Sequence, residues 1–330
     1  MCSGMERPGA VGWQVSAHIA AVRPAVGSYR HEALLYSGLA EFRAGAGSFL
    51  RRAIAADAPA LAMVSRDKME LLRRDLGAGA SRVGFTDMAE AGSNPARIIA
   101  AWAEFVRSHD GAAQLYGIGE PVYPGRSPAE LAECQLHEAL LNIAFDAATP
   151  FWLLCPYDLE ALAADVIGAA EQHHPFLARA GHQQASGAFQ LIDPDSPFDR
   201  PVPARPAGVP SFAFGPGDLG RVRGYVARRA RLAGLARQPA VALVLAVNEI
   251  ATNSLQHGGG HGELRVWPED GCLVCEISDS GHITSALAGR LPPSLDGADG
   301  GGLWLANHMC ALVQIFSSSG GTAIRLLQNR

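Results

Sequence analysis

The segment AVNEIATNSLQHGGG, residues 246–260, carries three polar side chains at helical spacing. Glu249, Asn253 and His257 are each four residues apart, so a helix places them on one face. This face combines a carboxylate, an amide and an imidazole, groups that can serve a functional site, on a helix that is otherwise apolar. The same face could equally be the exposed polar end of a helix that enters a core. The pattern assigns no role to His257.

Two glycine-containing stretches follow this segment. Asp279 and Gly281 end a predicted strand, where a carboxylate can accept a hydrogen bond from an exocyclic amine and a glycine lets a flat ring approach. Gly300, Gly301 and Gly302 open a predicted helix, where backbone N–H groups form an anion site. Taken singly, these stretches are also compatible with a simple turn and a flexible loop. The sequence contains no Walker-type phosphate loop, which excludes that class of nucleotide site.

A second group of chemically capable side chains lies in the N-terminal half. Cys134 and His137 are three residues apart on a predicted helix, close to one of its faces. His31, Glu120 and Cys155 stand on or just after predicted strands. Because ligands usually bind at the carboxyl ends of parallel strands, we expect these five candidate ligand-binding residues to gather there. The alternative is that they are ordinary core or surface residues.

The elements that must position this second group alternate along the chain. Between residues 31 and 174, amphipathic helix-like segments separate the strand-like segments HEALLYSG, PALAMVS, RVGFTDM, QLYGIGEP and FWLLCPYD. Asn94 before Pro95 marks one helix start, and Ser127 with Glu130 three residues later marks another. This alternation predicts an α/β domain with a parallel, doubly wound sheet.

The composition changes after that pattern ends. Residues 192–211 are rich in proline and predict a semi-rigid linker. Beyond it, two helix-like segments, a hairpin, a short helix and two strands around a Gly-Gly turn predict an α+β sandwich. The predicted organisation is an N-terminal tail, an α/β domain, a linker and an α+β domain, with the bounds 1–28, 29–177, 178–210 and 211–330.

The composition also excludes several classes of protein. The chain has 330 residues and is 48% hydrophobic, enough for two cores, and its net charge of −5 disfavours nucleic-acid binding. It lacks a signal-peptide pattern and a window apolar enough to span a membrane, so we expect a cytoplasmic protein with reduced cysteines. Cys272 and Cys275 form a C-x-x-C, but on a predicted strand they point to opposite faces, which disfavours a metal or redox pair.

In order and spacing, the polar helix and the two glycine stretches resemble the GHKL ATP-binding family. NEIATNSLQHG resembles its N box, DSG its first glycine box and GGGLW its second, followed by a terminal GGT, over residues 211–330. The short lid and the segment GGGLWLANHMCALV are more similar to the anti-sigma-factor serine kinase branch than to sensor histidine kinases. The resemblance implies a Bergerat-type sandwich that binds ATP and Mg²⁺.

The resemblance also implies a role for each matching residue. Glu249 would be the general base and Asn253 the Mg²⁺ ligand. The remaining residues would bind the nucleotide: Asp279, Gly281 and Thr322 around the adenine, and Gly300, Gly301, Gly302 and Leu303 at the phosphates. Two features depart from the family pattern. Arg290 is the one Arg or Lys between the glycine boxes, and Ile283 stands where a further glycine is usual.

The N-terminal half resembles the MEDS sensory domain over about residues 29–176. The resemblance is carried by the segments RHEALLYSGLAEF, NPARIIAAW, GIGEPVYPGRSPAELAECQLHEALLN and LLCPYD. It implies a RecA-like α/β core that has lost its phosphate loop and binds a small molecule. A MEDS domain followed by a GHKL domain is similar to the RsbA-type anti-sigma regulators.

These resemblances predict a sensory anti-sigma regulator of transcription and stress response. Its C-terminal domain would bind Mg-ATP and sequester a sigma factor, phosphorylate a serine or threonine of a STAS anti-anti-sigma protein, or do both, with a homodimer as a family-level expectation. One alternative is a non-catalytic ATP-binding module that switches partners. A sensor histidine kinase is the other, but the predicted helix at 217–235 has no histidine to accept a phosphoryl group, and His31 lies on a predicted strand.

Overall fold

The computed structural model describes residues 27–293 and 301–330, which form two units with one sheet each. The N-terminal sheet has seven strands: β1 (Arg30–Tyr36), β2 (Ala60–Val64), β3 (Val83–Asp87), β4 (Leu115–Gly119), β5 (Phe151–Asp158), β6 (Phe176–Arg179) and β7 (His182–Ala185). In the order β3-β2-β4-β5-β1-β6-β7, all neighbours are parallel except β6 and β7. The predicted parallel α/β sheet is confirmed. The predicted N-terminal tail lies outside the described residues except for its last two.

Helices cover both faces of this sheet. They are α1 (Gly38–Ala55), α2 (Arg66–Leu76), α3 (Met88–Ala91), α4 (Ile98–Ser108), α5 (Pro128–Ala144) and α6 (Ala164–His173), with short 3₁₀ helices at Gly77–Arg82 and Pro95–Arg97. Leu34 of β1 packs into one core with Phe42 of α1, whereas the next residue, Leu35, packs into the other core with Leu140 of α5. This alternation is what a doubly wound sheet requires, because successive strand residues face opposite layers.

The helix that carries several candidate residues begins where the sequence predicts. Ser127 Oγ accepts a hydrogen bond from Glu130 N, and the Glu130 carboxylate accepts one from Ser127 N at 2.8 Å, so a capping box starts α5. Asn94 also caps its predicted position, since its Oδ1 accepts from Ala96 N at 3.1 Å. That cap begins the 3₁₀ turn before α4 rather than α4 itself.

The N-terminal sheet continues past residue 177, where composition predicts that the linker begins. β6 pairs with β1 on the side opposite β5. The chain then turns back through Ala180 and Gly181, both with positive φ, and β7 pairs with β6. The HQQA sequence of β7 is polar and largely exposed, so it carries no hydrophobic periodicity. Its strand conformation depends on the open edge of the sheet, which is a tertiary effect.

The C-terminal unit is an antiparallel sheet with helices packed on one face. Its strands are β8 (Ser211–Phe214), β9 (Gly262–Glu269), β10 (Cys272–Asp279), β11 (Leu312–Ser318) and β12 (Gly321–Asn329), in the order β11-β12-β10-β9-β8. Its helices are α7 (Leu219–Leu232), α8 (Arg237–His257) and α9 (Gly301–Met309). The predicted α+β sandwich is confirmed. Cys272 and Cys275 are free thiols on β10. Among the described residues, no helix is both long and apolar enough to span a bilayer.

The proline-rich segment packs against the C-terminal sheet on the face away from the helices. Because successive residues of a strand point to opposite faces, Glu276 of β10 lies on the face opposite the core residue Ile277. Arg205 of the proline-rich segment pairs with Glu276 on that face at 3.2 Å. Phe198 is fully buried, and its carbonyl oxygen accepts a hydrogen bond from Ser317 N at 3.0 Å. The segment is therefore part of the folded structure.

Candidate functional site

The polar face of α8 lies directly against the start of α9. A Cβ atom placed on Gly302 would be 3.1 Å from Asn253 Nδ2 and 3.4 Å from Glu249 Cβ, so glycine permits this close approach. Glu249 and Asn253 are both partly exposed. Within the residues that the structure describes, neither side chain takes part in a hydrogen bond or ion pair, which leaves both available to a ligand.

The other three residues predicted at the phosphates differ in exposure and in what they can contribute. Gly301 is exposed at the first position of α9, where its N–H group has no partner within the helix. Gly300 lies outside the described residues. Leu303 is buried and packs into the core beside Gly289, so only its backbone can contribute to a phosphate site. The start of α9 thus offers backbone N–H groups and the positive end of a helix dipole.

Asp279 is held at the end of β10 by two hydrogen bonds. Its Oδ2 atom accepts from Ser254 Oγ at 2.5 Å, and its Oδ1 atom accepts from Gly281 N at 2.8 Å. A side chain at Gly258 would overlap the Asp279 carboxylate, although Gly258 itself has an ordinary φ of −98°. Gly258 is therefore needed for space rather than for backbone freedom. A carboxylate has about four acceptor positions, so Asp279 can still accept from an amino group.

A chain of hydroxyl groups fixes the loop after Asp279. Thr322 Oγ1 donates to Gly281 O at 2.8 Å and lies 2.7 Å from Ser317 Oγ. Ser317 Oγ also accepts from Ile283 N at 2.8 Å. Asp279 and Thr322 are directly paired across β10 and β12. The strand pairing places Thr322 beside Asp279. The hydroxyl group of Thr322, however, donates its hydrogen bond to the loop.

The one arginine between the glycine boxes does not point at this site. Arg290 is 2% exposed, and its guanidinium donates to Glu133 Oε2 of α5 at 3.0 Å. Arg200 of the linker pairs with the other oxygen of the same carboxylate. The negative charge of bound phosphates would thus be balanced by Mg²⁺ and the backbone at α9. Arg290 instead connects the two units.

A second contact between the units lies at the other end of α9. Arg97 Nε donates to Asn307 O at 2.7 Å, and its terminal nitrogen donates to the carbonyl oxygens of His308 and Cys310. Asn94 Nδ2 donates to Asn307 O at 3.0 Å. Carbonyl groups in the last turn of a helix have no partners within it, and a cation there is favoured by the helix dipole. The N-terminal unit therefore caps α9.

The five predicted sensory residues do not gather at the carboxyl ends of the strands. Glu120 does lie there, but its Oε1 atom accepts from Tyr36 Oη at 3.3 Å and pairs with Lys68. Burial raises the pKa of Glu120, and the positive charge of Lys68 opposes that shift. Among the residues that the structure describes, no hydrogen bond or ion pair joins the Glu120 side chain to any of the other four predicted residues.

Cys134 and His137 are core residues of α5 instead. Cys134 Sγ donates to Pro121 O at 3.3 Å, and burial raises the pKa of its thiol to about 12. Burial lowers the pKa of His137 to about 3, so its ring is neutral near pH 7. These two side chains lie in the core rather than at the predicted site because of the rotation of α5 about its own axis. Packing determines that rotation, and the spacing of residues in the sequence does not.

Only His31 and Cys155 of the predicted group lie together, and they do so with two residues that the sequence reasoning missed. Glu138 and His174 complete a buried cluster in which all four candidate ligand atoms lie within 4.8 Å of one another. His31 is at the start of β1, so the cluster lies away from the carboxyl ends of the strands. Two features of the sequence could have identified the missed residues. Glu138 directly follows the candidate His137, and His174 is the second residue of a His-His pair.

Two regions of the chain match family models. Residues 30–175 match the MEDS model, described as the MEthanogen/methylotroph, DcmR Sensory domain, and residues 212–327 match the histidine kinase-like ATPase domain. Among curated proteins, no relative matches the chain. Among solved structures, the RsbU and RsbW domains of a Mycobacterium tuberculosis protein are similar, with 16% identity, a TM-score of 0.28 and coverage of 63% of this chain and 49% of that chain. The chain therefore spans about half the length of that structure. Its two matched regions identify it as a MEDS domain joined to a histidine kinase-like ATPase domain of the GHKL type.

Proposed function

We propose that the C-terminal domain binds Mg-ATP between α8, the end of β10 and the start of α9, under control of the N-terminal domain. The observation that carries this proposal is the contact of Gly302 with Asn253 and Glu249, which joins the polar helix face to a helix start that suits phosphate. Asp279 would accept from the adenine amino group. Ser254, which follows Asn253 on α8, hydrogen bonds to Asp279 and so links the metal position to the adenine position.

The proposed reaction is transfer of the γ-phosphoryl group to a serine or threonine hydroxyl. Mg²⁺ held by Asn253 would offset the charge that develops on the phosphoryl group, and Glu249 would orient or deprotonate the acceptor. No Lys or Arg is proposed for the phosphates, since Arg290 is committed to Glu133. Slow transfer is consistent with that arrangement, because an electrostatic contribution common in phosphoryl transfer is absent from the described site.

The surface beside Glu249 supports a protein acceptor rather than a small molecule. Val241 and Leu245 are 52% and 42% exposed, and they precede Glu249 on α8 at successive intervals of four residues. Exposed apolar side chains aligned with a functional carboxylate suit a docked polypeptide. The proposed partners are a STAS anti-anti-sigma protein as acceptor and a sigma factor as the sequestered protein.

The alternative is an ATP-binding module that switches partners without transferring phosphate. The two candidates share the nucleotide site and differ only in the use of Glu249. A sensor histidine kinase is disfavoured, because α7 has no histidine and His31 is buried on β1.

The test measures Mg-ATP binding by calorimetry and phosphoryl transfer from γ-labelled ATP to candidate STAS proteins. Asp279→Asn should lower ATP affinity at least tenfold, whereas the control Asp270→Asn, at the opposite end of the β9–β10 hairpin, should not. Glu249→Gln should keep ATP binding and lose transfer. Unchanged ATP affinity in Asp279→Asn would overturn the site, and equal labelling by Glu249→Gln and the wild type would overturn the kinase.

A further inference from the structure

Four side chains from four different elements converge beneath α5 in the N-terminal domain. They are His31 of β1, Glu138 of α5, Cys155 of β5 and His174 after α6, and each is at most 1% exposed. The nucleotide site uses none of them. A buried group of two imidazoles, a carboxylate and a thiol needs an explanation, because burying such groups without compensation costs free energy.

The spacing of the ligand atoms is that of a metal site. Glu138 Oε2 lies 3.0 Å from His31 Nε2 and 3.3 Å from His174 Nε2, and Cys155 Sγ lies 3.5 Å from both His31 Nε2 and Glu138 Oε2. With metal–nitrogen and metal–sulfur bonds of about 2.0 and 2.3 Å, tetrahedral geometry separates ligand atoms by roughly 3.3–3.6 Å. These four distances are close to the tetrahedral range, and all four ligand atoms lie within 4.8 Å of one another, so small shifts of the side chains would fit them around one central ion.

Hydrogen bonds on the far side of each ring leave Nε2 free to bind a metal. Asn142 donates its amide hydrogens to backbone carbonyl oxygens, which orients its Oδ1 atom as the acceptor for His31 Nδ1 at 3.1 Å. His174 Nδ1 lies 2.7 Å from Ala170 O, which can only accept. Both Nδ1 atoms therefore carry protons. A ring held through Nδ1–H by an oxygen acceptor is the usual supporting contact of a metal-bound histidine.

The facing atoms would repel one another unless a proton or a metal cation lies between them. In neutral rings with protonated Nδ1 atoms, both Nε2 atoms present lone pairs to Glu138 Oε2, which also only accepts when ionised. No arginine or lysine contacts the cluster within the described part of the chain. A positive charge between the four groups resolves this arrangement, and binding would release the Cys155 thiol proton to solvent.

We propose that His31, Glu138, Cys155 and His174 bind a divalent transition-metal ion, with Zn²⁺ as the best match. Nitrogen, sulfur and oxygen ligands together suit an ion of intermediate softness, whereas Mg²⁺ and Ca²⁺ require oxygen ligands. Four protein ligands leave no open position, which is typical of a structural or sensory ion and not of a catalytic one. The assignment itself does not depend on the nucleotide site. Its sensory role does rest on the proposed control of the C-terminal domain.

The test uses the full-length protein, stripped of metal with a chelator and titrated with Zn²⁺ or Co²⁺. The wild type should bind one ion per chain, and Co²⁺ should give a sulfur-to-metal charge-transfer band with the intense visible bands of a four-coordinate site. Cys155→Ser should remove the charge-transfer band and lower Zn²⁺ affinity at least 100-fold. Cys134→Ser, a matched change of another buried cysteine outside the cluster, should leave both unchanged. Asn142→Ala should lower affinity by about 10- to 100-fold and keep the band.

Two results would overturn the proposal: wild-type protein that binds Zn²⁺ no more tightly than Cys155→Ser, or a Co²⁺ complex without sulfur and nitrogen ligands in its X-ray absorption spectrum. The second measurement uses only wild-type protein, so it holds even where a variant fails to fold. ATP binding by the stripped protein is measured in parallel. If the wild type binds ATP but not Zn²⁺ or Co²⁺, the metal site alone is refuted. If it binds the metal but not ATP, the nucleotide site alone is refuted.

Discussion

At the scale of single residues, Gly258 shows how a missing side chain can shape the nucleotide site. It follows α8, and its Cα atom lies against the loop that carries Gly281. Ser254 holds one oxygen of Asp279 and the Gly281 N–H group holds the other, so the carboxylate has little freedom to move away. The carboxylate of Asp279 therefore needs free space beside it, and the absence of a side chain at Gly258 provides that space.

Gly258→Ala should weaken ATP binding at least tenfold, because the added methyl group overlaps the Asp279 carboxylate. We also expect a loss of about 1–3 kcal/mol in the free energy of unfolding, as is usual when a close-packed position is overfilled. Gly224→Ala on exposed α7 is the control, since nothing lies near its Cβ position. That variant should gain roughly 0.5–1 kcal/mol from helix propensity and bind ATP normally. Calorimetric titration that shows equal affinity for both variants would contradict this role.

At the scale of elements, α9 connects the proposed phosphate site to the MEDS domain. Gly302 in its first turn faces Asn253 and Glu249 of α8, and the carbonyl groups at its end are capped by Arg97. A helix of nine residues is too short to be stable on its own. Contacts at both of its ends therefore determine how firmly α9 is held in place.

Arg97→Ala should destabilise α9 by about 2 kcal/mol, because it removes charged hydrogen bonds to otherwise unsatisfied carbonyl groups. We expect faster hydrogen–deuterium exchange in residues 301–310 and weaker ATP binding, with little change in β9 and β10. Arg107→Ala, at an exposed position of α4 where the side chain pairs with exposed Glu104, should change neither property. Unaltered exchange in α9 of the Arg97 variant would show that the cap does not hold the helix.

The element α5 also joins two of the sites. It presents Glu138 to the buried cluster and Glu133, five residues earlier, to the C-terminal domain. A rotation or shift of α5 would therefore move both carboxylates together, since a packed helix moves as one body. This makes α5 the element through which metal binding would reach the nucleotide domain.

At the scale of the whole molecule, the two domains are held together by a buried ionic contact as well as by apolar packing. Glu133 is 1% exposed and pairs with Arg290 of the C-terminal domain and Arg200 of the linker. The linker itself packs across the C-terminal sheet through Phe198 and Arg205. The chain thus has a defined interface between the MEDS domain and the histidine kinase-like domain, as the proposed control of one domain by the other requires.

Glu133→Gln should destabilise this interface by about 3 kcal/mol, because Arg290 would remain buried without a charged partner. In thermal unfolding we expect the two domains to separate into two transitions, and ATP binding should no longer respond to metal in the N-terminal domain. Glu104→Gln, an equivalent change at an exposed ion pair, serves as the control. A single transition at the wild-type midpoint in the Glu133 variant would rule out this contact as the link. Glu133→Met combined with Arg290→Met should recover most of the stability.

Local sequence was sufficient for the fold class and for most elements. Hydrophobic periodicity and capping residues such as Ser127 identify α5, and the alternating strands of the N-terminal half are in their predicted places. Helical spacing places Glu249 and Asn253 on one face of α8, whereas the approach of the second glycine box to that face is what the resemblance to the GHKL family implies. Glu249, Asn253 and Gly302 do lie together.

Tertiary structure alone decided the rest. Strand β7 exists because β6 offers it an edge, the rotation of α5 brings Glu138 rather than His137 to the cluster, and Arg290 faces Glu133 across a domain boundary. None of these outcomes is encoded within a short window, because each depends on partners that are distant in sequence. The sequence by itself therefore determined the two domains and the order of their motifs, whereas packing between elements determined which buried groups meet.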